Sequence, residues 1–123
     1  MLRKTHVFAA LFAVMLSAVP AGAAMTTGTF VARANTLRTQ GFAALLSPDF
    51  QVLKEEARLA RQELKAESEA RVKAGKRPIA CVPDGETIGI EDMLDELARL
   101  PAADQRKPLK DGYARVLSRR FPC

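Results

Sequence analysis

Two cysteines are the residues of this 123-residue chain whose type most readily supports covalent chemistry. Cys81 and Cys123 lack the CxxC spacing of a redox pair, and residues 25–123 hold no histidine that would activate a thiolate. In an exported chain this pattern favours one structural disulfide, with free thiols and intermolecular pairing as the alternatives. Closing a loop of this length removes enough chain entropy to stabilise the fold by about 4 kcal/mol.

The side chains that ordinarily carry catalysis are scarce. The single histidine, His6, lies in an N-terminal segment that we expect to be removed. Its loss excludes Ser-His-Asp and Cys-His pairs, and also any metal site that contains histidine. No paired-carboxylate or Ser-Lys arrangement is recognisable. We therefore predict no catalytic residue, no enzyme activity and no cofactor. The only tyrosine, Tyr113, is expected in the core with its hydroxyl at the rim rather than in catalysis.

Four carboxylates fall within six residues, and such a cluster raises the question of a cation site. Their spacing is not that of a Ca²⁺ loop, and the glycine that such a loop needs at its turn is missing. The first two would lie in the first turn of a helix, where acidic side chains favour the helix dipole. We predict a solvated helix face and no bound metal for Glu91, Asp92, Asp95 and Glu96.

Residues 1–24 have the pattern of a secretory signal peptide. A short basic start precedes the apolar run 7–19, which is shorter than the about 20 residues that a membrane-spanning helix needs. Pro20 follows, and then the small residues Ala21, Gly22, Ala23 and Ala24. We predict cleavage after Ala23 or Ala24, export to the periplasm and no membrane contact afterwards. An uncleaved membrane anchor is the alternative.

The net charge of +5 is partly a property of this segment. Removing Arg3 and Lys4 from the 19 Lys and Arg leaves an excess of three positive charges over the 14 Asp and Glu. The remaining basic residues alternate with acidic ones and form no basic stripe. The chain is therefore not expected to bind nucleic acid.

Apolar residues recur at helical spacing through residues 25–123, which predicts one all-α domain, a small bundle of about four helices with one disulfide. The first helix opens near Thr27 and stops at Gly41. The second begins at Ser47-Pro48-Asp49 and ends before Pro78, the third covers about 89–100, and the last runs to about Phe121, after a polar connection at 101–108.

The second helix changes character along its length. A narrow apolar seam follows its start, and after it the stretch 65–76 is mostly charged, either as a projecting solvated helix or a partly frayed one. The seam suits the core of the chain or a homodimer contact. Gly112, inside the last helix, predicts close packing against a neighbouring helix. The seam consists of Phe50, Leu53, Ala57, Ala60 and Leu64.

The order of residues in the C-terminal half is more specific than the periodicity. Cys81-Val82-Pro83, the Leu97…Pro101 spacing and the end Phe121-Pro122-Cys123 occur in this order. Over residues 79–123 the chain resembles the Rap/Tai family of immunity proteins associated with type VI secretion. The opening Thr27-Gly28-Thr29-Phe30 is similar as well, whereas the charged stretch 54–77 stands where family members carry a further Cys followed by Gly-Tyr.

The resemblance implies an exported helical protein, often dimeric, that binds and blocks a peptidoglycan-cleaving amidase. It also implies that Cys81 and Cys123 form the family's disulfide. Such inhibition would work by steric occlusion of the amidase cleft, with Asp84, Glu86 and Asp104 as contacts for a basic effector surface. The alternative function is a periplasmic adaptor that docks through the charged stretch 54–77.

Overall fold

A computed structural model of the protein describes residues 24–123 and bears out the all-α prediction. The predicted signal peptide, apart from Ala24, lies outside these residues. Within them, the only β-type pairing is an isolated bridge between Thr26 and Pro108. Four longer helices occur as predicted, together with two short ones. In chain order they are α1 (Thr27–Thr39), a 3₁₀ helix (Gly41–Leu46), α2 (Pro48–Lys73), α3 (Ile90–Ala98), α4 (Ala102–Gln105) and α5 (Leu109–Arg120).

The helices begin and end at residues whose chemistry suits those positions. The Thr26 hydroxyl accepts a hydrogen bond from the Thr29 N–H at 3.2 Å and so caps α1. Ser47 caps α2 in the same way, with Pro48 at the first helical position. Gly41 follows α1 with φ of 57°, a conformation that costs glycine little.

The helices share one hydrophobic core. α1, α2, α3 and α5 each contribute several buried side chains, and Leu97, Leu109 and Val116 are the most completely enclosed of its apolar members. The seam of α2 belongs to this core: Leu53, Ala57, Ala60 and Leu64 are buried and Phe50 packs against them half-buried. Of the two roles predicted for the seam, the intrachain core is therefore the one observed.

Gly112 marks the tightest contact between helices. A Cβ atom at this position would lie 2.5 Å from the Thr27 Oγ1 and 3.1 Å from the Leu97 Cδ2. The absence of a side chain thus lets α5 rest directly on α1 and α3. The prediction of close packing is confirmed.

The predicted disulfide between Cys81 and Cys123 is present. Cys81 lies in the loop between α2 and α3, and its backbone N–H donates a hydrogen bond to the Phe121 carbonyl at 2.9 Å. The bridge therefore joins this loop to the segment after α5 and encloses α3, α4 and α5 between its two ends.

The second half of α2 projects from the bundle. It stays helical to Lys73, and the residues of 65–77 are exposed except for half-buried Ser68. The Ser68 hydroxyl accepts a hydrogen bond from the Ile79 N–H at 3.0 Å, which ties the returning chain to the helix. The projecting arrangement is thus observed rather than the frayed one.

The polar connection expected at 101–108 contains the short helix α4 instead. Its start follows Pro101, and the Gln105 side chain donates hydrogen bonds to the carbonyls of Leu97 at 2.7 Å and Leu100 at 3.1 Å. The Leu97 carbonyl also accepts the Leu100 N–H at 3.2 Å, so Gln105 supplements this backbone bond and supplies a partner to the Leu100 carbonyl beyond the end of α3. The sequence around Gln105 does not predict these hydrogen bonds with the end of α3.

Candidate functional site

An apolar groove lies among α1, the 3₁₀ helix, α2 and the start of α3. It has a volume of about 710 Å³. Each of these elements contributes apolar side chains to the groove, because the apolar face of each one is directed towards the same space. Its walls include Phe30, Leu37, Ala44, Leu53, Ala57 and Leu94.

Beside the groove, the 3₁₀ helix carries three exposed large apolar side chains. Phe42 is 92% exposed, Leu46 89% and Leu45 58%, whereas Ala44 of the same helix is buried and lines the groove. We call Phe42, Leu45 and Leu46 the apolar lip. Grouped exposed apolar residues of this kind mark interaction surfaces in proteins.

The lip has a local cause. Gly41 turns the chain out of α1 and Ser47 begins α2 six residues later, so the 3₁₀ helix is too short to bury more than one face. Ala44 occupies that face and the larger side chains are left outside. The apolar stretch Gly41-Phe42-Ala43-Ala44-Leu45-Leu46 between two helix boundaries is a signal in the sequence for this surface, although no role was predicted for it.

Basic side chains border the groove. Lys54 and Arg61 of α2 line it, and neither forms an ion pair with any residue in 24–123. Arg38 also lines it but is neutralised by α3: its guanidinium donates hydrogen bonds to Asp95, at 3.0 Å, and to Glu91. These bonds raise the pKa of Arg38 above its usual value.

The acidic face of α3 acts largely in structural ion pairs. Glu91 and Asp95 hold Arg38 of α1, and Glu96 accepts a hydrogen bond from Arg120 at 2.6 Å. α3 is thereby linked to both α1 and α5. Among the residues that the structure describes, no three His, Cys, Asp or Glu side chains are grouped so as to hold a metal ion.

The three predicted contact residues occupy different environments. Asp84 and Glu86 are exposed in the loop before α3, at a turn closed by a 3.1 Å hydrogen bond from the Glu86 N–H to the Pro83 carbonyl. Asp104 is buried, and its carboxylate lies 3.4 Å from the Lys107 Nζ and 3.6 Å from the Arg115 Nε. Asp84 and Glu86 are thus free to meet a partner, whereas Asp104 is engaged within the fold.

Tyr113 is buried more deeply than the sequence indicated. Its hydroxyl is enclosed and has no hydrogen-bond partner in the described part of the chain, so the expectation that it reaches the rim of the core is wrong. Gly112 lets α5 approach its neighbours closely, which draws the ring inward. Burial raises the pKa of Tyr113. The Arg61 guanidinium approaches the hydroxyl without reaching hydrogen-bond geometry, and it opposes this shift only in part, by its charge and by a weak side-chain contact.

The fold defines a class, the small all-α protein with one disulfide, and its surface carries an exposed apolar cluster beside a groove. No protein-family model, curated protein or solved structure matches the chain. No helix in residues 24–123 combines the length and the apolar character required to span a bilayer.

Proposed function

We propose that the protein is a non-enzymatic periplasmic inhibitor that covers the active-site cleft of a peptidoglycan amidase. The apolar lip is the observation that carries this proposal, since exposed apolar groups of this size are costly to keep in water unless a partner covers them. The resemblance of residues 79–123 to immunity proteins supplies the class of partner.

The lip is suited to tight association. Burying a Phe or Leu side chain stabilises a complex by about 1.5–3 kcal/mol, so two such residues account for a large part of a protein–protein affinity. The 3₁₀ helix that carries them is fixed between α1 and α2, and Ala44 anchors it in the core. Little conformational entropy is therefore lost on binding.

Asp84 and Glu86 supply the polar part of the proposed interface. Both are exposed, and acidic side chains at the edge of an interface steer a basic partner and fix its orientation more than they add affinity. Asp104 has no part in the interface because its ion pairs within the fold already occupy it.

The proposal is tested by calorimetric titration against a secreted amidase encoded beside this gene. We expect nanomolar binding by the wild-type protein and binding weaker by about 100-fold for Phe42→Ser/Leu46→Ser. Leu59→Ser/Val72→Ser is the matched control, since these residues are 40% and 55% exposed on α2. Wild-type protein that does not bind, or a lip variant that binds as tightly as the control, contradicts the proposal.

A second function, docking of an envelope adaptor through the charged stretch 54–77, is favoured by the projection of its exposed part, 65–77. Val72, which is 55% exposed, would be its apolar contact. In that case the variant that includes Val72→Ser should lose binding of the adaptor's partner, and Phe42→Ser/Leu46→Ser should bind that partner as the wild type does. Absence of an amidase gene beside this one also favours the adaptor.

A further inference from the structure

The segment between α1 and α2 that carries the apolar lip has few contacts with the core. Between Leu37 of α1 and Leu53 of α2, Ala44 is the only buried residue. Burial of one methyl group offsets only a small part of the chain entropy that is lost when such a segment is ordered. The position of the lip therefore depends on the helices at its two ends.

One ion pair joins these two helices. The Arg33 guanidinium of α1 donates hydrogen bonds to the Asp49 carboxylate, in the first turn of α2, from its Nε, at 3.0 Å, and from its Nη2. A contact of two parallel hydrogen bonds fixes the relative orientation of the two groups as well as their distance. Among the residues that the structure describes, no other ion pair links α1 to α2.

Asp49 connects this ion pair to the 3₁₀ helix. Its backbone N–H donates a hydrogen bond to the Ser47 hydroxyl at 3.3 Å, and the Ser47 N–H donates one to the Ala44 carbonyl at 3.0 Å. A series of hydrogen bonds thus leads from Arg33 on α1 to the element that carries the lip. The side chains of Arg33 and Asp49 are 37% and 33% exposed, so water weakens their attraction without abolishing it.

We propose that Arg33 is a positioning residue, which through Asp49 holds the apolar lip in the orientation that meets the amidase. This inference rests on the proposed function for its partner, whereas the restraint on the lip is measurable in the free protein. No contact between Arg33 and the amidase is required. Loss of the ion pair leaves the lip residues present and lets the segment that bears them open.

Cleavage by chymotrypsin measures this restraint, because the protease cuts after exposed Phe and Leu residues and needs a locally open chain. Arg33→Gln is the test variant, since it removes the ion pair and leaves residues 39–49 around the cleavage sites unchanged. We expect cleavage after Phe42, Leu45 and Leu46, identified by mass spectrometry, to be about three- to fivefold faster than in the wild type. This is the upper part of the range for loss of a partly exposed ion pair.

Arg58→Gln is the matched control. Arg58 makes the same two-bond contact with Glu55, but both residues lie within α2 and outside the segment that carries the lip. Its cleavage between residues 42 and 47 should proceed as in the wild type. Equal acceleration in the two variants, or no acceleration in Arg33→Gln, overturns the proposal.

The dependence of the cleavage rate on urea distinguishes local opening from unfolding of the whole domain. In Arg33→Gln the rate should change little with urea below the unfolding transition, because a local opening exposes little new surface. A steep dependence means that cleavage follows global unfolding, and it overturns the proposal.

Asp49→Asn tests whether Arg33 acts through Asp49. Cleavage should be faster in this variant, and adding Arg33→Gln to it should change the rate little, because the partner of Arg33 is already lost. If the two changes multiply their effects, Arg33 acts through another contact and the assignment is overturned.

Calorimetric titration with the amidase encoded beside this gene measures the consequence for binding. Arg33→Gln should bind about three- to fivefold more weakly than the wild type and Arg58→Gln, because a loosened segment must be ordered again on binding. Faster cleavage with unchanged affinity overturns the positioning role. If the wild type does not bind, the proposed function falls together with the amidase part of this inference, and the cleavage rates still decide whether Arg33 holds the lip.

Discussion

Tyr113 lies in the core with a hydroxyl group that no described residue satisfies. A buried polar group without a partner costs about 1–3 kcal/mol relative to a satisfied one. The same burial disfavours the charged phenolate and raises the pKa of Tyr113 above its ordinary value of 10.0. The burial of Tyr113 on α5 therefore makes the free energy of unfolding depend on pH in the alkaline range.

We predict that Tyr113→Phe raises the free energy of unfolding by about 1 kcal/mol at neutral pH, because it removes the unsatisfied hydroxyl. The measurement is urea unfolding followed by circular dichroism. A loss of stability in the variant would contradict the burial of an unpartnered hydroxyl.

The pH dependence has a definite sign. The raised pKa means that the stability conferred by neutral Tyr113 is fully present below pH 10.0 and is lost as the pH rises through the higher pKa of the folded state. Because Tyr113 is the only tyrosine and the chain has no tryptophan, its ionisation is followed directly by ultraviolet absorbance. Tyr113→Phe should lack this component of the alkaline loss, and equal losses in both proteins would contradict the prediction.

Gly112→Ala should destabilise the protein by about 1–2 kcal/mol. Overpacking against Thr27 costs about 1–3 kcal/mol, and the better helix propensity of alanine returns up to about 1 kcal/mol. Thr27→Ala removes both atoms of Thr27 that the new methyl group would meet, so Gly112→Ala should cost less in that background. Strictly additive effects in thermal unfolding would contradict the close contact.

At the scale of elements, the capping of α2 fixes where the longest helix begins. Ser47→Ala removes the hydroxyl that accepts the Asp49 N–H and should cost about 1 kcal/mol of stability. Ser118→Ala is the matched control, because that hydroxyl bonds to a carbonyl within α5 and caps nothing. Its effect should stay within about 0.5 kcal/mol in urea unfolding, and equal effects of the two changes would contradict the role of the cap.

The sequence predicted those elements whose boundaries are encoded locally. Ser47-Pro48 and Gly41 identify helix boundaries by their own chemistry, and the spacing of the α2 seam identifies its buried face. The short helix α4 and the ion pairs of Arg38 depend on residues brought together from distant parts of the chain. Periodicity contains no information on such contacts.

At the candidate site too, the sequence does not predict features that depend on contacts between distant residues. Asp84 and Glu86 were predicted as contacts for a partner, and they are exposed in the loop before α3. Asp104 was assigned to a polar turn, yet Lys107 and Arg115 hold it in a buried position. The groove was not predicted because four elements form it jointly.

At the scale of the whole molecule, the disulfide joins the loop between α2 and α3 to the segment after α5. Cys81→Ser/Cys123→Ser should lower the free energy of unfolding by about 4 kcal/mol, since the open loop regains entropy in the unfolded state. The urea midpoint of the variant, compared with that of the oxidised wild type, measures this loss. An unchanged midpoint would show that the bridge does not constrain the unfolded chain.

The charge of the molecule is divided between structure and surface. Arg33, Arg38 and Arg120 are held in ion pairs between helices, while Lys54 and Arg61 remain uncompensated beside the groove. Other basic side chains, Lys65, Lys73 and Arg99 among them, also form no ion pair within residues 24–123, so the mild positive excess is spread over the surface. The apolar lip lies beside the same groove.

The most direct test of the proposed inhibition is the activity of the secreted amidase encoded beside this gene, assayed on purified peptidoglycan while the protein is added up to equimolar amounts. With the amidase at about ten times the wild-type Kd, we predict loss of most hydrolysis at one equivalent for the wild type and for Leu59→Ser/Val72→Ser. Hydrolysis should be nearly undiminished with Phe42→Ser/Leu46→Ser at the same ratio, because its Kd is about 100-fold higher. Undiminished hydrolysis with the wild type, or equal inhibition by the lip variant, would contradict a role of the lip in covering the amidase cleft.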